Sequence, residues 1–127
     1  MFRTCLTVAA TFVGITFVSL PATAADATGI WLRNTGASKV KIAPCGTALC
    51  GNIVWLKDPA TSLAKIGEKI FFDMKPDGDG YWAGSAFNPE DGKTYTGKMS
   101  LSGNTLTTRG CVFGGIICKS VTWSRAN

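Results

Sequence analysis

The chain has 127 residues, with 13 basic and 8 acidic side chains, five cysteines and no histidine. Without histidine, any site on this chain lacks the commonest general base and the commonest metal ligand in proteins. The lysines are scattered along the sequence rather than clustered, which favours a solvated surface and argues against a nucleic-acid interface.

The first 24 residues have the layout of a secretory signal peptide. Arg3 precedes an apolar run over 6–20, and small residues then lead to Ala24. This run is shorter than the roughly 18 residues that a spanning helix needs, so we expect no transmembrane segment in the mature form. Cleavage near Ala24 would leave residues 25–127 as one small domain, located in the periplasm or secreted.

The mature sequence consists of short runs rich in Thr, Val, Ile and aromatic residues, separated by Gly, Asn, Asp and Pro. This pattern predicts an all-β domain, and alternation is clearest where Val40 and Ile42 lie between lysines. The predicted strands are Gly29–Arg33, Lys39–Cys45, Cys50–Lys57, Lys69–Lys75, Gly80–Phe87, Lys93–Leu101, Asn104–Cys111 and Ile117–Arg125.

The links between these strands are short and carry turn residues, as at Pro76–Gly80 and Gly114–Gly115. Consecutive hairpins make a meander, and a meander of eight short strands leaves exposed edges unless its sheet closes on itself. We therefore expect a single eight-stranded antiparallel meander that closes into a small β-barrel. The longer link over 58–67 is expected to form a helical turn across one barrel mouth.

Four cysteines remain in the mature chain, namely Cys45, Cys50, Cys111 and Cys118. An even number in an exported domain is typical of two disulfides. Three pairings are formally possible, and hairpin proximity favours Cys45 with Cys50 and Cys111 with Cys118, although longer bridges would stabilise more in the chain-entropy model. A two-residue turn at Gly114–Gly115 would make Cys111 and Cys118 a hydrogen-bonded pair, and a wider loop would suit a disulfide better.

The polar motifs are explained by turns and disulfides and do not predict chemistry. Asn88, Pro89, Asp91 and Gly92 belong to an Asn-Pro-Glu-Asp-Gly segment, which is typical of a type I turn followed by a left-handed glycine. The cysteine spacing lacks the Cys-x2-Cys of common zinc sites, so we expect neither a metal nor a cofactor. Because no nucleophile elbow or acid-base pair is present, we expect no catalytic residues.

The first and last predicted strands each contain a tryptophan. Trp31 lies in the first strand, and Trp123 lies two residues before Arg125 in the last one. In a closed barrel, Arg125 could lie over the Trp31 ring and close one end by a cation-π contact. The alternative is two core tryptophans and a solvated arginine, and the sequence leaves both open.

Several motifs extend over nearly the whole mature chain. They are Gly29-x-Trp31, Pro44–Leu56, Trp82, Phe87–Lys98, Arg109–Cys111 and Thr122–Arg125. Together they resemble the bacterial domain-of-unknown-function family numbered 2147. That family is similar to lipocalin-like, or calycin, barrels, so the resemblance implies an exported, small lipocalin-like barrel without an assigned reaction.

The function we expect is that of a non-catalytic barrel that binds a small, largely apolar ligand in its interior. The candidate lining residues are Trp31, Ile53, Trp55, Trp82, Tyr95 and Trp123. The alternative is a solid-cored structural or adaptor module of the cell envelope, acting through its surface and loops on a protein partner that the sequence does not identify. An internal cavity of ordinary pocket size would favour ligand binding, and a core filled by these aromatic residues would favour the alternative.

Overall fold

The computed structural model of the protein describes residues 25–127 and residue 14, and the rest of the predicted signal peptide over 1–24 lies outside the described residues. Eight antiparallel strands form one sheet that closes into a barrel in the order β1 to β8. The strands are β1 (Gly29–Arg33), β2 (Ser38–Cys45), β3 (Ala48–Leu56), β4 (Lys69–Pro76), β5 (Tyr81–Asn88), β6 (Lys93–Ser102), β7 (Thr105–Val112) and β8 (Ile117–Arg125). The predicted eight-stranded meander is confirmed.

Each strand pairs with its neighbour in sequence, and the barrel closes where β1 pairs with β8. In this closing pair Trp31 lies opposite Arg125, and Arg33 lies opposite Trp123. Side chains alternate between the two faces of a strand, so Trp31 and Arg33 share one face of β1. Trp31 is fully buried, which makes this face the inner one.

Bulges or register shifts interrupt the regular pairing of β2 with β3, of β3 with β4 and of β4 with β5. Between β2 and β3, Lys39 pairs with Trp55 while Val40 pairs with Ile53, so Val54 is an extra residue on β3. The pairing of β4 with β5 also shifts beside Asp73, which has a φ of 47°. A bulge moves the following residue to the opposite face of its strand.

The loops divide the barrel into two ends. One end carries the loops 34–37, 57–68, 89–92 and 113–116, and we call it the mouth. The link over 57–68 contains a turn in which the Ser62 amide donates to the Asp58 carbonyl at 3.1 Å, but it contains no helix. The predicted helical turn is therefore present as a single turn over residues 58–62, and no helix follows it in the link.

The opposite end, which we call the closed end, is filled by side chains. Residues 25–28 lie across it, ahead of β1. The interior beneath them holds buried side chains that fill the section of the barrel, namely Trp31, Val40, Ile42, Met74, Met99 and Leu106. The hydrophobic core thus lies mainly in the closed half of the barrel.

Both predicted disulfides are present, one at each end. Cys45 and Cys50 bracket the β2–β3 turn at the closed end, with Cα atoms 5.7 Å apart. Cys111 lies opposite Cys118 near the mouth, with Cα atoms 4.1 Å apart, the spacing of a non-hydrogen-bonded pair. The loop between the two cysteines is wider than a two-residue turn. Residues 113–116 join β7 to β8, and they include a short 3-10 helix over Phe113–Gly115.

No helix within residues 25–127 has the length and apolar character of a membrane span.

Candidate functional site

A cavity of about 970 Å³ occupies the mouth half of the barrel. It extends from the mouth loops down to the aromatic rings of Phe71 and Trp123. The inner faces of the strands supply a mainly apolar wall, which includes Ile53, Leu56, Ile70, Phe71, Ala86, Val121 and Trp123. Such a cavity suits a small molecule with a substantial apolar surface.

Phe71 and Trp123 form the floor of the cavity. Their rings meet edge to face across the barrel, with centroids 6.2 Å apart and an interplanar angle of 79°. The Phe71 ring lies against the backbone of Gly51, where a Cβ atom would come within 2.6 Å of the ring. The Trp123 indole donates to the hydroxyl of buried Thr108 at 2.9 Å, which fixes the orientation of the ring.

Charged groups lie at the mouth. Arg33 is on the inner face of β1 and lines the cavity, and its Nη1 is 3.9 Å from a carboxylate oxygen of Glu90. Lys119 also lines the cavity, on the same face of β8 as Val121 and Trp123. The cavity therefore combines an apolar interior with a polar entrance.

The Asn-Pro-Glu-Asp-Gly segment forms the β5–β6 turn at this mouth. The Asn88 side chain accepts a hydrogen bond from the Glu90 amide at 2.9 Å, and Gly92 has a φ of 69°. The Asp91 carboxylate accepts hydrogen bonds from the Tyr95 hydroxyl and the Lys93 amide. The bond from the hydroxyl lowers the pKa of Asp91 and raises the pKa of Tyr95.

Three of the six predicted lining residues line the cavity, namely Ile53, Tyr95 and Trp123. Trp82 lines a separate pocket of about 340 Å³ at the closed end. Trp31 is fully buried in the core of the closed half. These two tryptophans therefore point inward, but they lie nearer the closed end than the main cavity does and do not line it.

Trp55 is on the outer surface of the barrel, in contrast to the prediction. The residue is 38% exposed, and the Lys39 ammonium group lies over its ring, 5.0 Å from the ring centroid. The bulge at Val54 is the cause, because it turns Trp55 outward and Leu56 inward.

Arg125 and Trp31 meet at the closed end. The guanidinium carbon lies 4.3 Å from the Trp31 ring centroid. Its two terminal nitrogens donate to the carbonyls of Thr28 and Asp26 at 2.9 and 3.0 Å, and the Trp31 indole donates to the Ala27 carbonyl at 2.9 Å. Arg125 therefore ties residues 26–28 across this end of the barrel.

Among the cavity residues that the sequence did not predict are Arg33, Phe71, Thr108 and Lys119. The inward positions of two of them, Arg33 and Lys119, can be predicted from the sequence. Period-two alternation starting from Trp31 places Arg33 inside, and the same rule applied backwards from Trp123 places Lys119 inside. Nothing comparable marks Phe71 or Thr108.

Within residues 25–127, one cluster brings metal-ligand side chains together. Cys45, Cys50 and Asp73 lie close to one another at the closed end. The two sulfur atoms are joined in a disulfide, so they offer no thiolate to a metal ion.

The fold and the cavity define a lipocalin-like barrel. Residues 29–125 match the family model described as an uncharacterized protein conserved in bacteria, domain of unknown function 2147, and the chain belongs to this family. No curated protein matches the chain. A similar solved structure is protein HP1028 from Helicobacter pylori, described as a member of the lipocalin family, with a TM-score of 0.62 and 18% identity over 80% of this chain and 84% of that chain. This likeness establishes the fold.

Proposed function

We propose that this protein is an exported, non-catalytic barrel that binds a small, largely apolar molecule in its interior. The cavity of about 970 Å³ carries the proposal, because ligand pockets have volumes of roughly 300 to 1,000 Å³. An eight-stranded barrel can be filled by side chains or can hold one small ligand. Open space above Phe71 and Trp123 favours binding over a solid-cored structural or adaptor module.

The lining supports an apolar ligand body. Phe71 and Trp123 present aromatic surface at the floor, and Ile53, Leu56 and Val121 add aliphatic surface above it. Burial of apolar surface contributes about 25 cal/mol for each Å² removed from water, so a ligand filling this space gains most of its affinity from contact area. The few polar groups would orient the ligand.

Two disulfides support export. Such bonds persist in oxidising compartments such as the bacterial periplasm, and they are rare in the cytosol. The predicted signal peptide over 1–24 points the same way. We therefore assign the binding function to the periplasm or the extracellular space.

A neutral apolar dye tests the proposal. N-phenyl-1-naphthylamine becomes fluorescent in apolar surroundings, and we expect saturable binding of one dye molecule per barrel. We expect Val121→Trp, which places an indole in the cavity, to weaken binding at least about tenfold by overfilling the site. The matched control is Val54→Trp, because Val54 is an exposed residue at the outward bulge.

Absence of saturable binding would contradict the proposal. Equal binding by Val121→Trp and the wild-type protein would also contradict it, because the dye would then be held outside the barrel. Native mass spectrometry of the protein isolated from its own periplasm would give the identity of a retained ligand.

A further inference from the structure

Arg33 holds a permanent positive charge at the inner wall of the cavity. It follows fully buried Trp31 by two residues on β1, so its side chain also points into the barrel. Across the barrel closure it lies opposite Trp123, which forms part of the cavity floor. The charge is thus placed between the apolar floor and the mouth.

The hydrogen bonding of Arg33 is incomplete. Its Nε atom is buried and has no hydrogen-bond partner. The Glu90 carboxylate is 3.9 Å from Nη1, which is longer than a hydrogen bond, and the Glu90 side chain is 70% exposed. The Arg33 side chain as a whole is 33% exposed, so its terminal nitrogens, rather than buried Nε, are the donors that a group in the cavity can reach.

The other charged groups at the cavity leave Arg33 as the cation least matched by a carboxylate. Lys119 shares the inner face of β8 with Trp123, and Glu90 is an acidic residue of the lining that is already near Arg33. Arg109 also borders the cavity. It is exposed and follows Thr108, which points inward, so the Arg109 side chain points outward from β7. Lys119 is exposed and lies near the Asp91 carboxylate, which also accepts from the Tyr95 hydroxyl. The lining therefore carries two cations, of which Lys119 is balanced by Asp91 and Arg33 is only weakly engaged by Glu90.

We propose that the ligand is an amphipathic anion, with its apolar body over Phe71 and Trp123 and a single oxyanion group bound by Arg33. The two terminal nitrogens of the guanidinium can donate to two oxygens of a carboxylate, sulfonate or phosphate. Lys119 lies nearer the mouth, where the Asp91 carboxylate balances its charge. This inference rests on the proposed function and adds the chemical class of the ligand.

Two dyes with one skeleton separate the charge from the apolar body. 8-Anilino-1-naphthalenesulfonate carries a sulfonate that N-phenyl-1-naphthylamine lacks. We expect Arg33→Gln to weaken sulfonate dye binding by about tenfold or more, because a charge-assisted hydrogen bond is lost. The affinity for the neutral dye should stay within about twofold of the wild-type value.

Arg109→Gln is the matched control, because it removes the same charge from the outer face of the same barrel. It should leave the affinity for both dyes within about twofold of wild type. Glu90→Gln should strengthen binding of the sulfonate dye severalfold, since it removes the carboxylate that competes for Arg33.

The outcomes distinguish this inference from the proposed function. If the neutral dye binds and Arg33→Gln leaves sulfonate affinity unchanged, the oxyanion site is wrong and the apolar cavity stands. If neither dye binds, both proposals are wrong. Should Arg33→Gln not fold, Arg33→Lys replaces it. That variant keeps the charge but loses the planar pair of terminal nitrogens, and wild-type sulfonate affinity in it would overturn the inference.

Discussion

Tyr95 and Asp91 connect the mouth turn to the inner face of β6. The Tyr95 hydroxyl donates to the Asp91 carboxylate, which lowers the pKa of Asp91 and raises the pKa of Tyr95. Because the pKa of Asp91 is lower in the folded state, the ionised carboxylate stabilises the fold fully above its unfolded pKa of about 3.9. This stabilisation is lost as the pH falls through the lowered pKa of the folded state. Because the pKa of Tyr95 is raised in the folded state, the protonated hydroxyl stabilises the fold fully below its unfolded pKa of about 10. This stabilisation is lost as the pH rises through the raised pKa.

We predict that Tyr95→Phe lowers the free energy of unfolding at neutral pH by a small amount. The difference from the wild-type protein should disappear as the pH falls through the lowered pKa of Asp91, because the protonated carboxyl is a poor acceptor. Urea unfolding of both proteins between about pH 7 and pH 2 measures this difference.

Tyr81→Phe is the control for this comparison. Tyr81 is 57% exposed and lies at the closed end of the barrel, away from Asp91. We expect its effect on stability to be small and independent of pH over the acid range. A Tyr95→Phe effect that stays constant down to the lowest pH would contradict the role given to the Tyr95–Asp91 bond.

The bulge on β3 shows which part of an element could be predicted from the sequence. Alternation correctly places Ile53 inside, and the same rule places Trp55 beside it. A bulge depends on how β2 and β3 pair, and the single extra residue Val54 carries no local mark. The outward direction of the Trp55 side chain therefore could not be predicted from the sequence of its own strand.

Strand ends were predictable because their signals are local. Gly92, for example, is needed where the turn takes a φ of 69°, and such residues mark each hairpin in the sequence. The cavity has no such signal. Its floor depends on Phe71 and Trp123 meeting across the barrel from strands that are not neighbours, and its volume depends on what the other side chains leave empty.

Gly84 on β5 lies opposite the bulge on β4. A Cβ atom at Gly84 would overlap the carbonyl oxygens of Phe72 and Asp73, which are backbone atoms held in the sheet. We predict that Gly84→Ala destabilises the barrel by about 2 to 3 kcal/mol, the cost of overpacking a site that cannot relax. Urea unfolding measures this loss.

The control for this substitution is Gly103→Asn. Gly103 has a φ of 58°, which asparagine tolerates, and its Cβ position faces open space. We expect a cost of no more than about 1 kcal/mol. A Gly84→Ala protein as stable as this control would show that β4 moves away from β5 at the bulge.

At the scale of the whole molecule, closure of the barrel depends on Arg125. Its guanidinium group binds two backbone carbonyls of residues 26–28 and lies over Trp31. We predict that Arg125→Met lowers the free energy of unfolding by about 2 to 3 kcal/mol, since it removes two charge-assisted hydrogen bonds and a cation-π contact. Thermal or urea unfolding measures the change.

Arg109→Met serves as the control for loss of an arginine, because Arg109 is exposed on the outer face. Its effect should be within about 0.5 kcal/mol of zero. Equal effects of the two substitutions would mean that Arg125 does not hold the closed end together.

The pairing of β1 with β8 also has a kinetic consequence. Every other strand pair joins neighbours in sequence, whereas Arg125 and Thr28 are 97 residues apart. Closing so long a loop is entropically unfavourable until the hairpins have shortened it, so we expect this seam to form after the folding transition state. Arg125→Met should then accelerate unfolding and leave the refolding rate unchanged, so that the native barrel opens first along the seam where the two ends of the sheet meet.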